Sequence, residues 1–181
     1  MESRLGKLIR LFVSADDAHI IAGLYILRRT HRHGESLALI AGQVVDIESE
    51  RGKLIRSAEE TLDFIHMNKT AVLFRLAVRT GAIISDETKL GELDDFAKKF
   101  GLAFQIYDDI MDEISTFDEL GKTIGKDKNS GKLTYVSLYG LEEAKNKFRL
   151  LINDCYAIVD KYKSKIFKEI LDKLRDRILG V

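Results

Sequence analysis

No proline occurs among the 181 residues, although average usage of about 5% would place roughly nine in a chain of this length. Proline is the strongest helix breaker, because it lacks an N–H and its ring clashes with the preceding turn. A chain without it can run long helices, and no stretch of useful length alternates apolar and polar residues as a strand does. The apolar spacing predicts an all-α chain with helices over 16–31, 35–46, 58–81, 85–100, 102–114, 135–140, 141–162 and 165–179, in one domain spanning 1–181.

Lys plus Arg and Asp plus Glu both number 29. The chain therefore has no basic excess with which to hold a nucleic-acid backbone, and any anion it binds must be held locally. Hydrophobic residues at 45% are enough to bury a core. The single cysteine, Cys155, excludes an internal disulfide and cannot by itself build a structural zinc site. No apolar run approaches the roughly 18 residues that span a bilayer. An acid at Glu2 and the lack of an unbroken apolar stretch before Asp16 do not fit a secretory signal. These features lead to the expectation of a soluble protein in a reducing compartment, the cytoplasm.

The segment from Phe96 to Ile114 carries the most chemistry. At 100° per residue, Phe96, Phe100, Phe104, Tyr107, Met111 and Ile114 fall on one apolar stripe, with Gln105, Asp108, Asp109 and Asp112 on an opposing arc. Asp108 and Asp112 are four residues apart, so their side chains point the same way about 6 Å apart along the axis. Like charges so placed repel by a few tenths of a kcal/mol, and a divalent cation between them reverses the sign. Mg²⁺ suits such a pair, since it takes one or two carboxylates, keeps waters and completes its shell with phosphate oxygens. Taken alone, the same pattern is as readily a solvated acidic helix face.

The segment that follows, 118–134, holds three glycines and four lysines, Lys122, Lys126, Lys128 and Lys132. Lys122 and Lys132 each follow a glycine, which lets backbone approach an anion. Lysine serves phosphate as a point charge. Carboxylates for a metal and ammonium groups for phosphate are the two halves of a diphosphate clamp, although the lysine segment alone also reads as a charged surface loop. Upstream, Gln43 and Asp46 lie three apart on one helix face, and His66-Met67-Asn68-Lys69-Thr70 sits inside a strongly helical stretch. Each is weak by itself. His19, His31, His33 and His66 lack a ligand partner at i+4 and read as surface or packing residues. Cys155 reads as core, and 161–177 as a solvated amphipathic helix.

Together these segments resemble the trans-prenyltransferase, or polyprenyl diphosphate synthase, family. The resemblance rests on Gly42-Gln43-Val44-Val45-Asp46, on Lys69-Thr70, on Phe100 to Asp112, and on Leu120 to Gly125 leading to Gly131-Lys132-Leu133-Thr134-Tyr135. The Ala103-Phe104-Gln105-Ile106 form before Asp108 looks most like the short-chain farnesyl and geranylgeranyl synthases. The resemblance implies an isoprenoid-synthase-type helical bundle around a deep cavity, where Mg²⁺ bridges an allylic diphosphate to aspartates and isopentenyl diphosphate attacks the allylic cation. By that resemblance Asp108, Asp109 and Asp112 form the second aspartate motif and the metal ligands, with Asp108 and Asp112 preferred. Lys69, Lys122 and Lys132 contact diphosphate, and Thr70, Gln43 and Gln105 line the cavity. Lys69, Thr70, Gln105 and Asp108 are the catalytic set, and Asp46 supports the wall beside Gln43.

Family members also carry a first aspartate motif followed by an arginine pair, and nothing between Met1 and Ala41 resembles it. Asp16-Asp17 has no third aspartate, and Arg28-Arg29 lies too close to Gln43. The resemblance therefore covers the C-terminal part of a family member, and the bundle is expected to be incomplete, with apolar surface exposed. Two readings follow. In one, the chain supplies the second motif and the lysine clamp and works as a homodimer or with an N-terminal half from elsewhere. In the other, it is a noncatalytic partner or relic subunit of a complete synthase. Product length depends on the region near the first motif.

Overall fold

The structure, a computed structural model, describes residues 33–54, 56–85, 88–114 and 132–180. The helix expected over 16–31, the pairs Asp16-Asp17 and Arg28-Arg29, and Lys122, Lys126 and Lys128 lie outside them. In chain order the elements are α1 (His33–Glu50), α2 (Ala58–Ile65), a π-helical turn (His66–Ala71), α3 (Val72–Ile84), α4 (Leu90–Ile114), α5 (Tyr135–Tyr139), α6 (Leu141–Tyr162) and α7 (Lys165–Leu179). Every element among the described residues is helical, in line with the all-α expectation. No helix among them is long and apolar enough to cross a membrane.

Local chemistry sets the ends. Ser57 starts α2 with a capping box: its Oγ accepts the Glu60 N–H at 3.1 Å, and the Glu60 carboxylate accepts the Ser57 N–H at 3.4 Å. Thr134 and Ser137 build the same device ahead of α5. Gly140, at φ 85°, separates α5 from α6, and Ser164 caps α7.

Several expected bounds differ: α1 runs to Glu50 rather than 46, and α4 begins at Leu90 rather than 85. The break expected at Gly101 is absent, and α4 runs unbroken from Leu90 to Ile114. The glycine instead allows two helices to touch, since a Cβ there would lie 2.6 Å from Ala71 Cα. The single helix expected over 58–81 contains a π-helical turn, and with α3 it extends to Ile84. Asn68 accounts locally for the widening, because its Nδ2 donates to Phe64 O at 2.8 Å and competes with the backbone ladder.

α4 is the central helix. Ala103, Ile106 and Ile110 on it pack with Phe148, Ile152 and Cys155 of α6 in one buried cluster, which Leu171 and Ile178 of α7 extend. Phe74 of α3 meets Phe100 edge-on at 4.9 Å, and Phe167 of α7 meets Phe96 likewise at 5.1 Å. Cys155 is fully buried; desolvation first, then the Asp154 charge, push its thiol up to about 12. The thiol is inert core, as expected. Arg75 of α3 grips Asp94 of α4 with two hydrogen bonds, at 2.8 and 3.2 Å, and Arg79 adds a third at 3.3 Å. Burial pulls the Asp94 carboxyl upward, but the two guanidinium groups outweigh it and hold the carboxyl below its usual range. These bonds clamp α3 along the N-terminal half of α4 and leave the C-terminal half to carry the site.

Candidate functional site

The π-helical turn is held between α1 on one side and α4 on the other. Against α1 the approach is very close: a Cβ on Gly42 would lie 2.5 Å from Lys69 N and 2.7 Å from Asn68 C. Only a glycine lets the two backbones meet this way. One turn along, Asp46 is buried and accepts a hydrogen bond from Lys69 Nζ at 2.5 Å. The Lys69 side chain remains about a third exposed, at 31%. The Gly42 contact and the Asp46 bond thus set where the ammonium group starts and where it points. Gln43 is exposed on the neighbouring face of α1, beside Ile40, Val44 and Ile47, three large apolar side chains that are also exposed. That stripe agrees with the expected exposed apolar surface.

Against α4 the turn makes polar contacts. Thr70 Oγ1 donates to Gln105 Oε1 at 2.6 Å, and Gln105 Nε2 donates to Asp109 Oδ1 at 3.1 Å. The second oxygen of Asp109 accepts the Tyr135 backbone N–H at 2.8 Å and faces His66 Nε2 at 3.5 Å. Asp109 is 5% exposed and His66 2%. The carboxylate joins three pieces of chain: the π turn, α4, and the start of α5 three residues past Lys132. Burial is the leading cause that raises the Tyr135 hydroxyl above the ordinary tyrosine range, with the charges of Tyr139, Glu143 and Asp63 adding to it.

The polar arc expected on α4 is therefore split. Gln105 and Asp109 face inward toward the π turn, Asp108 is exposed, and Asp112 is half-buried. Of the apolar stripe, Phe96, Phe100 and Met111 are buried as expected and Phe104 and Ile114 are exposed, while Ala103, Ile106 and Ile110 beside it are buried as well. The expected set thus falls into two pairs in direct contact, Lys69 with Asp46 and Thr70 with Gln105. Asp109 is fixed by protein donors, and Asp108 and Asp112 stand one helical turn apart. Lys132 is half-buried at the end of the lysine segment; Lys122 lies outside the described residues.

The donor chemistry fits Mg²⁺ at Asp108 and Asp112. Both offer hard carboxylate oxygens, and one or two carboxylates suffice for this ion when waters and phosphate oxygens fill the rest. Among the described residues no group of three His, Cys, Asp or Glu side chains could cage a metal. His66 was expected to be a packing or surface residue; it is buried, but with one nitrogen toward Asp109. The only hint in sequence is its place one turn before Thr70 within an apolar run, because its partner lies on a separate helix.

Three comparisons bear on this arrangement. The family model described as polyprenyl synthetase matches residues 27–174. The large subunit 2 of the heterodimeric geranylgeranyl pyrophosphate synthase of Arabidopsis thaliana is 42% identical over 145 residues, which cover 78% of this chain and 38% of that protein. A dimethylallyltranstransferase of Fischerella ambigua is 40% identical over 129 residues, covering 70% of this chain and 37% of that one. Among solved structures, the geranyltransferase of Helicobacter pylori complexed with magnesium and isoprenyl diphosphate superposes with a TM-score of 0.62 at 30% identity, over 92% of this chain and 52% of that one. The chain spans about 40% of the length of the curated relatives it matches.

Proposed function

The chain belongs to the polyprenyl synthetase family, and on that premise we propose that it forms the diphosphate-ionising side of a prenyltransferase that condenses isopentenyl diphosphate with an allylic diphosphate. An N-terminal half outside this sequence, bearing a first aspartate motif, completes the pocket. The observation that carries this reading is the crossing of the π turn over α4, which puts Lys69-Thr70 beside Gln105 on the helix that bears Asp108 and Asp112. The exposed Ile40, Val44 and Ile47 stripe beside Gln43 supports packing against that half.

In the proposed reaction the allylic C–O bond breaks, its electron pair leaves with the diphosphate, the double bond of isopentenyl diphosphate attacks the resulting cation, and a proton is lost. Asp108 and Asp112 would hold Mg²⁺, which would supply neutralisation of the charge developing on the leaving group. Lys69, Lys122 and Lys132 place ammonium groups against the same oxygens. Asp46 fixes the direction of the Lys69 ammonium group. The Thr70 and Gln105 oxygens present lone pairs toward the cation, and Gln43 lines the adjoining wall. Phe104 and Tyr107, stacked at 6.2 Å, contribute apolar surface that excludes water.

The test is complementation. Alone, the chain should show little Mg²⁺-dependent condensation. Combined with the N-terminal half of a complete family member, it should associate and gain activity. A stable, inactive assembly would overturn the reading, and so would activity that persists after Mg²⁺ is removed with a chelator.

A further inference from the structure

His66 is a buried, titratable side chain for which the proposed mechanism has no use. Its Nε2 lies 3.5 Å from Asp109 Oδ2. Its Nδ1 is buried with no hydrogen-bond partner among the described residues. A buried carboxylate needs donors on both oxygens. Asp109 takes Gln105 on one oxygen and the Tyr135 N–H on the other, and the imidazole stands beside that second oxygen on the side of the π turn. The contact closes a ladder with two rungs. Thr70 and His66 sit four residues apart on the turn, Gln105 and Asp109 sit four apart on α4, and each residue of one pair meets one of the other.

We propose that His66 is a positioning residue: its Nε2–H holds Asp109 at its buried place, so that Asp109 aligns Gln105, and through it the Thr70 hydroxyl, while anchoring the chain that follows Lys132. Within the two adjacent aspartates this divides the work. Asp108 faces outward to a ligand, and Asp109 faces inward and sets the register among the π turn, α4 and α5. Without the imidazole the carboxylate loses its tie to the turn carrying Lys69 and is able to rotate Oδ1 away from Gln105 Nε2, so the Gln105 amide is no longer held in one orientation.

The structural part of this proposal is independent of the prenyl-transfer reading, whereas its kinetic part rests on that reading; the test has an arm for each. In the full chain, ¹⁵N–¹H correlation of the His66 ring should place a proton on Nε2, and Asp109→Asn should shift both ring nitrogens. An Nε2 that carries no proton, or ring shifts that Asp109→Asn leaves unchanged, would overturn the bond. In the assembled enzyme, His66→Leu should lower kcat roughly 10–100-fold, the range for removing a residue that orients a catalytic neighbour, with KM for the allylic diphosphate unchanged. His66→Gln, which keeps an N–H donor, should recover most of the loss. Unchanged kcat in His66→Leu, or equal loss in both variants, would overturn the positioning role. If the wild-type assembly condenses nothing, the prenyl-transfer reading fails, and the ring spectrum still decides the bond.

Discussion

In the complementation assay, Asp108→Ala should slow condensation by roughly 10²–10³-fold, the range for removing one group that stabilises developing charge, and yet leave the chain at least as stable as wild type. Asp108 is exposed and repels Asp112 one turn away, so alanine relieves a few tenths of a kcal/mol of repulsion and adds a better helix former. Its neighbour should behave in the opposite way. Asp109→Ala strips the acceptor from the Tyr135 N–H, Gln105 Nε2 and His66. Breaking a buried charged network of this kind costs about 3–5 kcal/mol. Thermal denaturation of the two variants side by side reads the contrast. An unstable Asp108→Ala with a stable Asp109→Ala would mean that the inward and outward roles are assigned the wrong way round.

Gly42→Ala should be the most damaging single methyl group in α1. The new Cβ would meet Lys69 N at 2.5 Å and Asn68 C at 2.7 Å, and both are backbone atoms that no rotamer change can move aside. Overpacking costs about 1–3 kcal/mol, and with rigid neighbours the upper end applies. At roughly 2–4 °C per kcal/mol for a chain of this size, the melting temperature should fall about 6–12 °C. Relief of the clash moves α1 off the π turn and pulls Asp46 from Lys69, so diphosphate binding should weaken as well. Gly91→Ala is the control. A Cβ there meets nothing within 4 Å, so alanine in the first turn of α4 should be neutral or stabilising by up to about 1 kcal/mol. Equal melting temperatures for the two variants would contradict the close crossing.

Much of the fold was legible because its signals are local. The bounds of α6 and α7 agree with the sequence reading at Leu141–Tyr162 and Lys165–Leu179, since Gly140, the left-handed Lys163 and the Ser164 cap concentrate the stop and start chemistry in few residues. Gly101 misled for a reason that sequence does not carry. Its conformation is plain helix, and its smallness serves a neighbour, Ala71, thirty positions earlier. The π turn was equally hidden, because it depends on the Asn68 amide reaching back to Phe64 O.

The candidate site shows the same division. Grouping Lys69, Thr70 and Gln105 came from motif resemblance, and the Thr70–Gln105 bond follows from the crossing of two helices. Asp108, Asp109 and Asp112 read as one arc because 100° per residue places neighbours only broadly, and tertiary packing then turned Asp109 inward toward His66 and Tyr135. No spacing rule links residues 66 and 109, so the inward pair could not be read from the chain alone.

The central claim is that Asp108 and Asp112 meet Lys69 and Lys132 across a metal-bound diphosphate. A crystal structure of the assembled enzyme with Mg²⁺ and a non-ionising allylic diphosphate analogue tests it most directly. The expected result has both aspartates coordinating Mg²⁺ that also binds the diphosphate, the lysine ammonium groups on its remaining oxygens, and Asp109 still accepting from Gln105 and Tyr135. Asp108 and Asp112 facing bulk solvent, with the diphosphate and its metal held elsewhere, would contradict it.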